Sequence, residues 1–269
     1  MLPDWLTKVQ IETSAVPPML DSTVARGVLW QAAPGRYLLD VPEVARYLVE
    51  DGRRIRIDSS PSAASGDVIR FLRMTPLAAL FFQRGILAFH AAAVAGTYGA
   101  VLIAGESGTG KSTLIAALLK MQWNLLADDL VPVDVDANDI PVVFPAFPEL
   151  RLWPDAMEKL EIENIGNEKH ILIMGDRFLA SPQPLRAIFR LSVKSDESVE
   201  ISGIKGAKFF HALSSLSYNS HIGDALLDRV AYMRKVAAIT RNNLVFSLRR
   251  PRGRWCINEL ADLVEKACR

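Results

Sequence analysis

Eight consecutive residues, Gly105-Glu106-Ser107-Gly108-Thr109-Gly110-Lys111-Ser112, read G-x-x-x-x-G-K-S, and Thr113 follows. These residue types at this spacing hold phosphate. Glycines let successive backbone N–H groups turn inward without a Cβ in the way. Lys111 brings a compact positive charge to the β- and γ-phosphates, and the Ser112 hydroxyl suits Mg²⁺. A helix opening at Lys111 adds the positive potential of its free N–H groups. The alternative is an accidental glycine-rich turn. Context argues against it, because the apolar run Val101–Ala104 enters the loop and Leu114, Ile115, Leu118 and Leu119 leave it on one helical face.

Two further features have chemistry of their own. Asp128 and Asp129, in "LLADDL", come one helix and one short strand after Lys111. At the loop's edge of a sheet, one carboxylate can hold Mg²⁺ while the other takes a proton from an incoming hydroxyl. The plain alternative is that one caps a turn and the other faces solvent. His90, in "LAFHAAAVAG", falls on the strand before the loop strand. It either approaches the phosphates and the Asp pair or is a satisfied core histidine.

The elements that must position these groups follow from the pattern around them. "ILAFHAAAVAGTYGAVLIAG" reads as two strands joined by Gly-Thr-Tyr-Gly, a hairpin whose second strand enters the loop. The helix after the loop and a tight return bring "LLA" alongside the loop strand, with the Asp pair at its end. Upstream, "GRYLLDV" and "RRIRIDSS" read as strands, with "VPEVARYLVEDG" as a helix or ragged turn between them. "DVIRFLRMTPLAALFFQRG" has helical spacing interrupted by Pro76. Downstream, "HILIM", "LRAIFRLSV" and "VEISGI" read as strands, and Lys205 to about Ala237 as helical. "NNLVFSLRR" reads as a late strand and "INELADLVEKAC" as a terminal amphipathic helix. The division expected is residues 1–80 as an N-terminal β-rich accessory region and 81–269 as the phosphate-binding domain.

The 269 residues are 50% hydrophobic and 23% charged, enough apolar material for a sizeable core. Net charge is +1, so no global basic field points to nucleic acid. The local clusters "RRIR" and "RRPRGR" read as solvated surface strips. Cys256 and Cys268 are the two cysteines and lack metal spacing. The opening "MLPDWLTKVQIETS", with Asp4, lacks the apolar core of a secretory signal, and no apolar run reaches membrane-spanning length. A cytoplasmic protein without a nucleic-acid or membrane partner is expected.

The combination "FHAAAVAG…AVLIAGESGTGKSTLIAALLKMQWNLLADDLVPVD" resembles the catalytic domain of HPr kinase/phosphorylase. "RGILAFHAAAV" and "FPELRLWPD" are similar to small HPr-kinase-like proteins, some of which phosphorylate precursor peptides, as lasso-peptide tailoring kinases do. The resemblance implies an α/β fold: a P-loop kinase domain with a mixed β-sheet, akin to phosphoenolpyruvate carboxykinase. It implies ATP or GTP with Mg²⁺, and an acceptor hydroxyl, most simply Ser, on a small protein or precursor peptide. Lys111 and Ser112 would serve the phosphates and Mg²⁺, Asp128 the general base, Asp129 the metal side, and His90 the active-site histidine. It also implies a homo-oligomer. The chain departs from the family at Thr113, where Glu is usual, and in lacking the downstream glycine-rich signature segment. Glu149 and Arg151 either touch metal or acceptor, or belong to a proline-rich turn with Trp153 packed beneath. A nucleotide-binding regulatory or assembly module and a small-molecule kinase are the alternative functions.

Overall fold

The computed structural model describes all residues except 1–7, 164–167, 169, 196–197, 206 and 243. Asp4 and the first part of the opening segment, and Asn243 of the late strand, therefore lie outside the described residues. The chain divides into two compact units, one of residues 89–216 and 235–269, the other of residues up to 88 together with 217–234.

The N-terminal unit is built on β1 (Gln10–Thr13), β2 (Ala25–Arg26), β3 (Trp30–Ala33), β4 (Arg36–Val41), β5 (Ala45–Glu50) and β6 (Arg54–Ser59). They form one sheet in the order β1-β6-β5-β4-β3-β2. It is an antiparallel meander with β1 added parallel to β6. The segment 41–52, expected as a helix or ragged turn, is instead strand β5. Tyr47 and Val49 are good strand formers, and the residues at Glu43 and Asp51 turn with positive φ at either end, making two tight hairpins. Helices α1 (Ser65–Leu72) and α2 (Thr75–Gln83) follow, with Pro76 in the first turn of α2, where its missing N–H is harmless.

α2 is apolar along almost its whole length, and Pro76 through Phe82 are buried. Its last residue, Gln83, donates to Gly35 O and Val49 O at 3.2 Å and accepts from the N–H of Gly52 at 2.7 Å. Tyr47 is buried, its hydroxyl donates to Val68 O at 2.9 Å, and burial pushes its pKa up to about 12. These ties explain why the unit runs to residue 88 rather than ending near 80. The same unit takes in α6 (Ser220–Leu226), through the stack of Trp30 on His221 at 5.4 Å.

The second unit holds β8 (Ala91–Gly96), β9 (Gly99–Ala104), α3 (Lys111–Lys120), β10 (Asn124–Ala127), β11 (Val131–Val135), β12 (Pro141–Val143), β13 (Glu149–Leu152), α4 (Pro154–Lys159) and β14 (His170–Ile173). A 3₁₀ turn, Gly175–Arg177, leads to β15 (Gln183–Lys194), β16 (Glu200–Gly203), α5 (Ala207–Leu216), β17 (Leu244–Pro251) and α8 (Ile257–Cys268). Strand β7 (Leu87–Phe89) and helix α7 (Arg229–Asn242) carry the chain across the unit boundaries.

The main sheet is mixed. β8 and β9 form the expected hairpin, with Gly96 opposite Gly99. β10 pairs antiparallel with β8, so β8 lies between it and the loop strand rather than β10 lying directly alongside. On the other side β9 pairs parallel with β15, and β15 parallel with β17. β9, β10, β15 and β17 therefore all end at one edge of the sheet, and β8 begins there.

α3 and α8 cover one face. Leu114, Ile115 and Leu118 of α3, Leu260, Ala261 and Val264 of α8, and Val101, Ile103, Phe189 and Leu248 of the strands form a single apolar core. Each such aliphatic side chain contributes about 1.5–3 kcal/mol by leaving water. Trp123 closes the end of α3 and donates to Glu265 of α8 at 2.8 Å. No described helix is long and apolar enough to cross a membrane.

Candidate functional site

The sheet edge just described gathers the glycine loop after β9, Asp128 and Asp129 after β10, His90 just before β8, and the arginine-rich segment at the end of β17. Crevices at the carboxyl ends of parallel strands are where open α/β sheets bind ligands.

The loop's shape depends on its glycines. Gly105 has φ +153, and a Cβ there would come within 2.3 Å of the Leu191 carbonyl oxygen on β15. Gly110 has φ +101, directly before α3 begins. Thr109 is buried, and its hydroxyl donates back to Glu106 O at 2.8 Å. Lys111 is 9% exposed, and its ammonium donates to Gly105 O at 2.7 Å and Glu106 O at 3.1 Å. The loop thus curls around its lysine.

Arg250 on β17 carries no motif of its own. Its Nε donates to Thr109 O at 2.7 Å and its Nη2 reaches Gly108 O at 3.5 Å. One guanidinium thereby ties two loop carbonyls to a strand 141 residues later. The signal available in sequence was "RRPRGR" at the end of a strand, which composition alone cannot separate from a solvated strip.

The two aspartates do different things. Asp128 accepts the N–H of Asp129 at 3.1 Å on Oδ1 and the N–H of Arg151 at 3.1 Å on Oδ2. It braces the turn against β13. Asp129 has φ +68, a conformation Asp tolerates better than most residues, and its Oδ2 lies 3.9 Å from Nη1 of Arg151. The strand carrying Glu149 and Arg151 is thus docked on the Asp pair by main chain and side chain together.

A cavity of about 320 Å³ joins these groups. Its lining includes His90, Ser107, Gly108, Gly110, Lys111, Ser112, Thr113, Asp129 and Arg151, together with Trp153, Lys159, Arg254 and Trp255. Of the sequence-predicted residues, Asp128, Gly105, Glu106 and Thr109 are not in its lining. His90 is exposed and sits between β7 and β8 rather than within a strand, with its N–H donated to Leu216 O at 2.8 Å. Trp153 is 56% exposed, so it is not packed beneath a turn, and Trp255 is 41% exposed with the Lys159 ammonium 5.1 Å from its ring centre. Cys256 also lines the cavity, and burial raises its thiol pKa.

The Ser112 hydroxyl and the Asp129 carboxylate are hard oxygen donors on the same cavity, a set that suits Mg²⁺. That ion takes one or two protein oxygens and fills its remaining positions with phosphate oxygens and water. No group of three or more His, Cys, Asp or Glu that could hold a metal occurs among the described residues.

A second cavity, of about 710 Å³, lies against the loop. Gly105, Glu106, Ser107, Gly108 and Thr109 form one wall, and Arg190, Ser192, Ser247, Arg249, Arg250 and Arg252 are in its lining.

No protein-family model and no curated protein matches the chain. Among solved structures it is similar to the HPr(Ser) kinase/phosphatase from Coxiella burnetii, at 15% identity over 66% of this chain and 91% of that one, with a TM-score of 0.35.

Proposed function

We propose that the protein is a kinase that transfers the γ-phosphoryl group of ATP to a hydroxyl, most simply of Ser, on a small protein or precursor peptide. The observation that carries this reading is the 320 Å³ cavity, which places Lys111, Ser112, Asp129, His90 and Arg151 around one space beside the loop. A protein that only holds nucleotide needs the loop. A transfer site also needs a carboxylate and cations around the γ-phosphate, and Asp129, Lys111 and Arg151 in the lining of this cavity supply those types of group.

In the reaction the acceptor oxygen forms a bond to the γ-phosphorus as the bond to the β–γ bridging oxygen breaks. ADP leaves with that electron pair, and the hydroxyl proton passes to a carboxylate. The backbone N–H groups of the loop, the start of α3 and Lys111 offset the charge on the transferring group. Mg²⁺, held by Ser112 and the carboxylate side, would neutralise charge on the β- and γ-phosphates. Trp153 and Trp255, in the lining of the same cavity, offer flat faces for the nucleoside.

The two aspartates divide the work. The family resemblance gives Asp128 the proton-accepting part. Cavity lining favours Asp129 as the metal-side carboxylate next to the reacting centre, and Asp128, besides its proton-accepting part, braces the turn. Incubation with γ-labelled ATP and candidate polypeptides tests the whole reading. Label in base-labile phosphoserine, lost in Asp129→Asn while nucleotide binding persists, supports it. Tight ATP binding with no labelled polypeptide under any acceptor favours a regulatory module, and label in a metabolite favours a small-molecule kinase.

A further inference from the structure

The 710 Å³ cavity is built from a polar stripe on the sheet. On β15, Phe189 and Leu191 point into the apolar core with α3 and α8, so Arg190 and Ser192 point to the opposite face. On β17, Phe246 and Leu248 belong with that core, and Ser247 and Arg249 alternate with them. The parallel register sets Arg190 beside Ser247 and Ser192 beside Arg249. Arg252 joins them just beyond the strand. Four guanidiniums thus line one cavity against a single carboxylate, that of Glu106.

Arginines in this protein are usually engaged. Arg46, Arg54, Arg56, Arg151 and Arg254 pair with carboxylates, and Arg250 holds the loop carbonyls. Among the described residues, the side chains of Arg190, Arg249 and Arg252 have no hydrogen-bond or ion-pair partner. Like charges brought together in a concave site repel one another and destabilise the fold slightly, so their convergence is explained by a ligand rather than by stability.

We propose that this cavity binds an acidic polypeptide segment, the part of the phosphoryl acceptor that flanks its hydroxyl. This rests on the kinase reading above. Planar guanidiniums match carboxylates in bidentate fashion. The cavity holds more than twice the volume of the one beside Lys111, more than a lone small anion needs. Its lining contains no aromatic side chain, so it lacks the stacking faces by which single-stranded nucleic acid is held. Ser107 and Gly108 line both cavities, so a segment bound here lies against the loop that holds the donor phosphate.

The test uses the full chain and a fluorescent twelve-residue peptide of Asp, Glu and Ser, beside a neutral peptide of Asn, Gln and Ser. The acidic peptide is expected to bind at least ~10-fold tighter, with an affinity that falls as salt rises. The double variant Arg249→Gln/Arg252→Gln is expected to lose about tenfold in that affinity while keeping wild-type ATP binding. Equal binding of the acidic and neutral peptides overturns the proposal. So does an unchanged affinity in the double variant, or a single-stranded DNA 12-mer that displaces the acidic peptide at lower concentration than the peptide itself. Failure of the kinase reading shows separately, as absence of label transfer to a peptide that nonetheless binds.

Discussion

Two arginine clusters of similar composition have opposite fates in the fold. In the N-terminal sheet, Arg54 and Arg56 share the carboxylate of Glu50 at 3.0 and 3.1 Å, and Arg46 pairs with Asp40 at 3.1 Å. Arg46, Arg54 and Arg56 thus each have a carboxylate partner inside their own sheet, and they stiffen a scaffold. In the cluster at the end of β17, Arg254 pairs with Glu259, Arg250 braces the loop, and Arg249 and Arg252 face a cavity without partners. Compensation by neighbours, rather than the count of arginines, separates a structural strip from a binding face.

The sharpest way to break that contrast is Arg250→Ala. It frees the carbonyls of Gly108 and Thr109 and loosens the loop, and ATP affinity by calorimetry is expected to fall by about 10- to 100-fold. Arg250→Lys should rescue little, because a point charge cannot span both carbonyls as a planar fork does. An effect on melting alone, with ATP affinity kept, would make Arg250 purely structural.

In the N-terminal sheet, Glu50→Gln removes the carboxylate shared by two arginines in a half-buried setting. Denaturant unfolding is expected to show a loss of about 1–2 kcal/mol, with ATP binding untouched. Arg249→Gln is the counterpart. Its unfolding free energy should stay within about 0.5 kcal/mol of wild type, since no partner is lost. If Arg249→Gln proved as costly as Glu50→Gln, the contrast between the clusters would collapse.

The last effect is silent at neutral pH. Burial pushes the Cys268 thiol from the ordinary 9.0 up to about 11. The unfolded thiol ionises from about pH 9, while the folded one stays protonated until about pH 11. Protons are then bound more in the folded state, so stability is complete below pH 9 and falls as pH rises through that window. Melting scans of Cys268→Ala should show a shallower fall between pH 9 and 11 than wild type.

Much of this was legible along the chain. The loop, the β8–β9 hairpin, α3, the late strand and α8 follow from local periodicity and from glycines at defined offsets. β5 is not legible locally because "VPEVARYLVEDG" carries mixed periodicity, and its pairing with β4 and β6 on both sides settles the strand. The order β10-β8-β9 and the inclusion of residues 217–234 in the N-terminal unit depend on distant pairings that no window displays. Of the residues lining the 320 Å³ cavity, Lys111, Ser112, Asp129 and His90 could be named from motif and spacing. The bracing by Asp128 depends on Arg151, 23 residues on, the hold of Arg250 on the loop spans 141 residues, and the unpartnered state of Arg190, Arg249 and Arg252 depends on side chains failing to meet in the fold.

The most direct test is the steady-state kinetics of label transfer from γ-labelled ATP to an acidic Ser-containing peptide. The account predicts that Asp129→Asn lowers kcat by at least ~100-fold with the peptide KM held, as expected when a group at the reacting centre is lost. It predicts that Arg249→Gln/Arg252→Gln raises the peptide KM about tenfold with kcat held. A wild-type kcat in Asp129→Asn, or an unchanged peptide KM in the arginine variant, would contradict the division of the site into a transfer side and an acceptor-binding side.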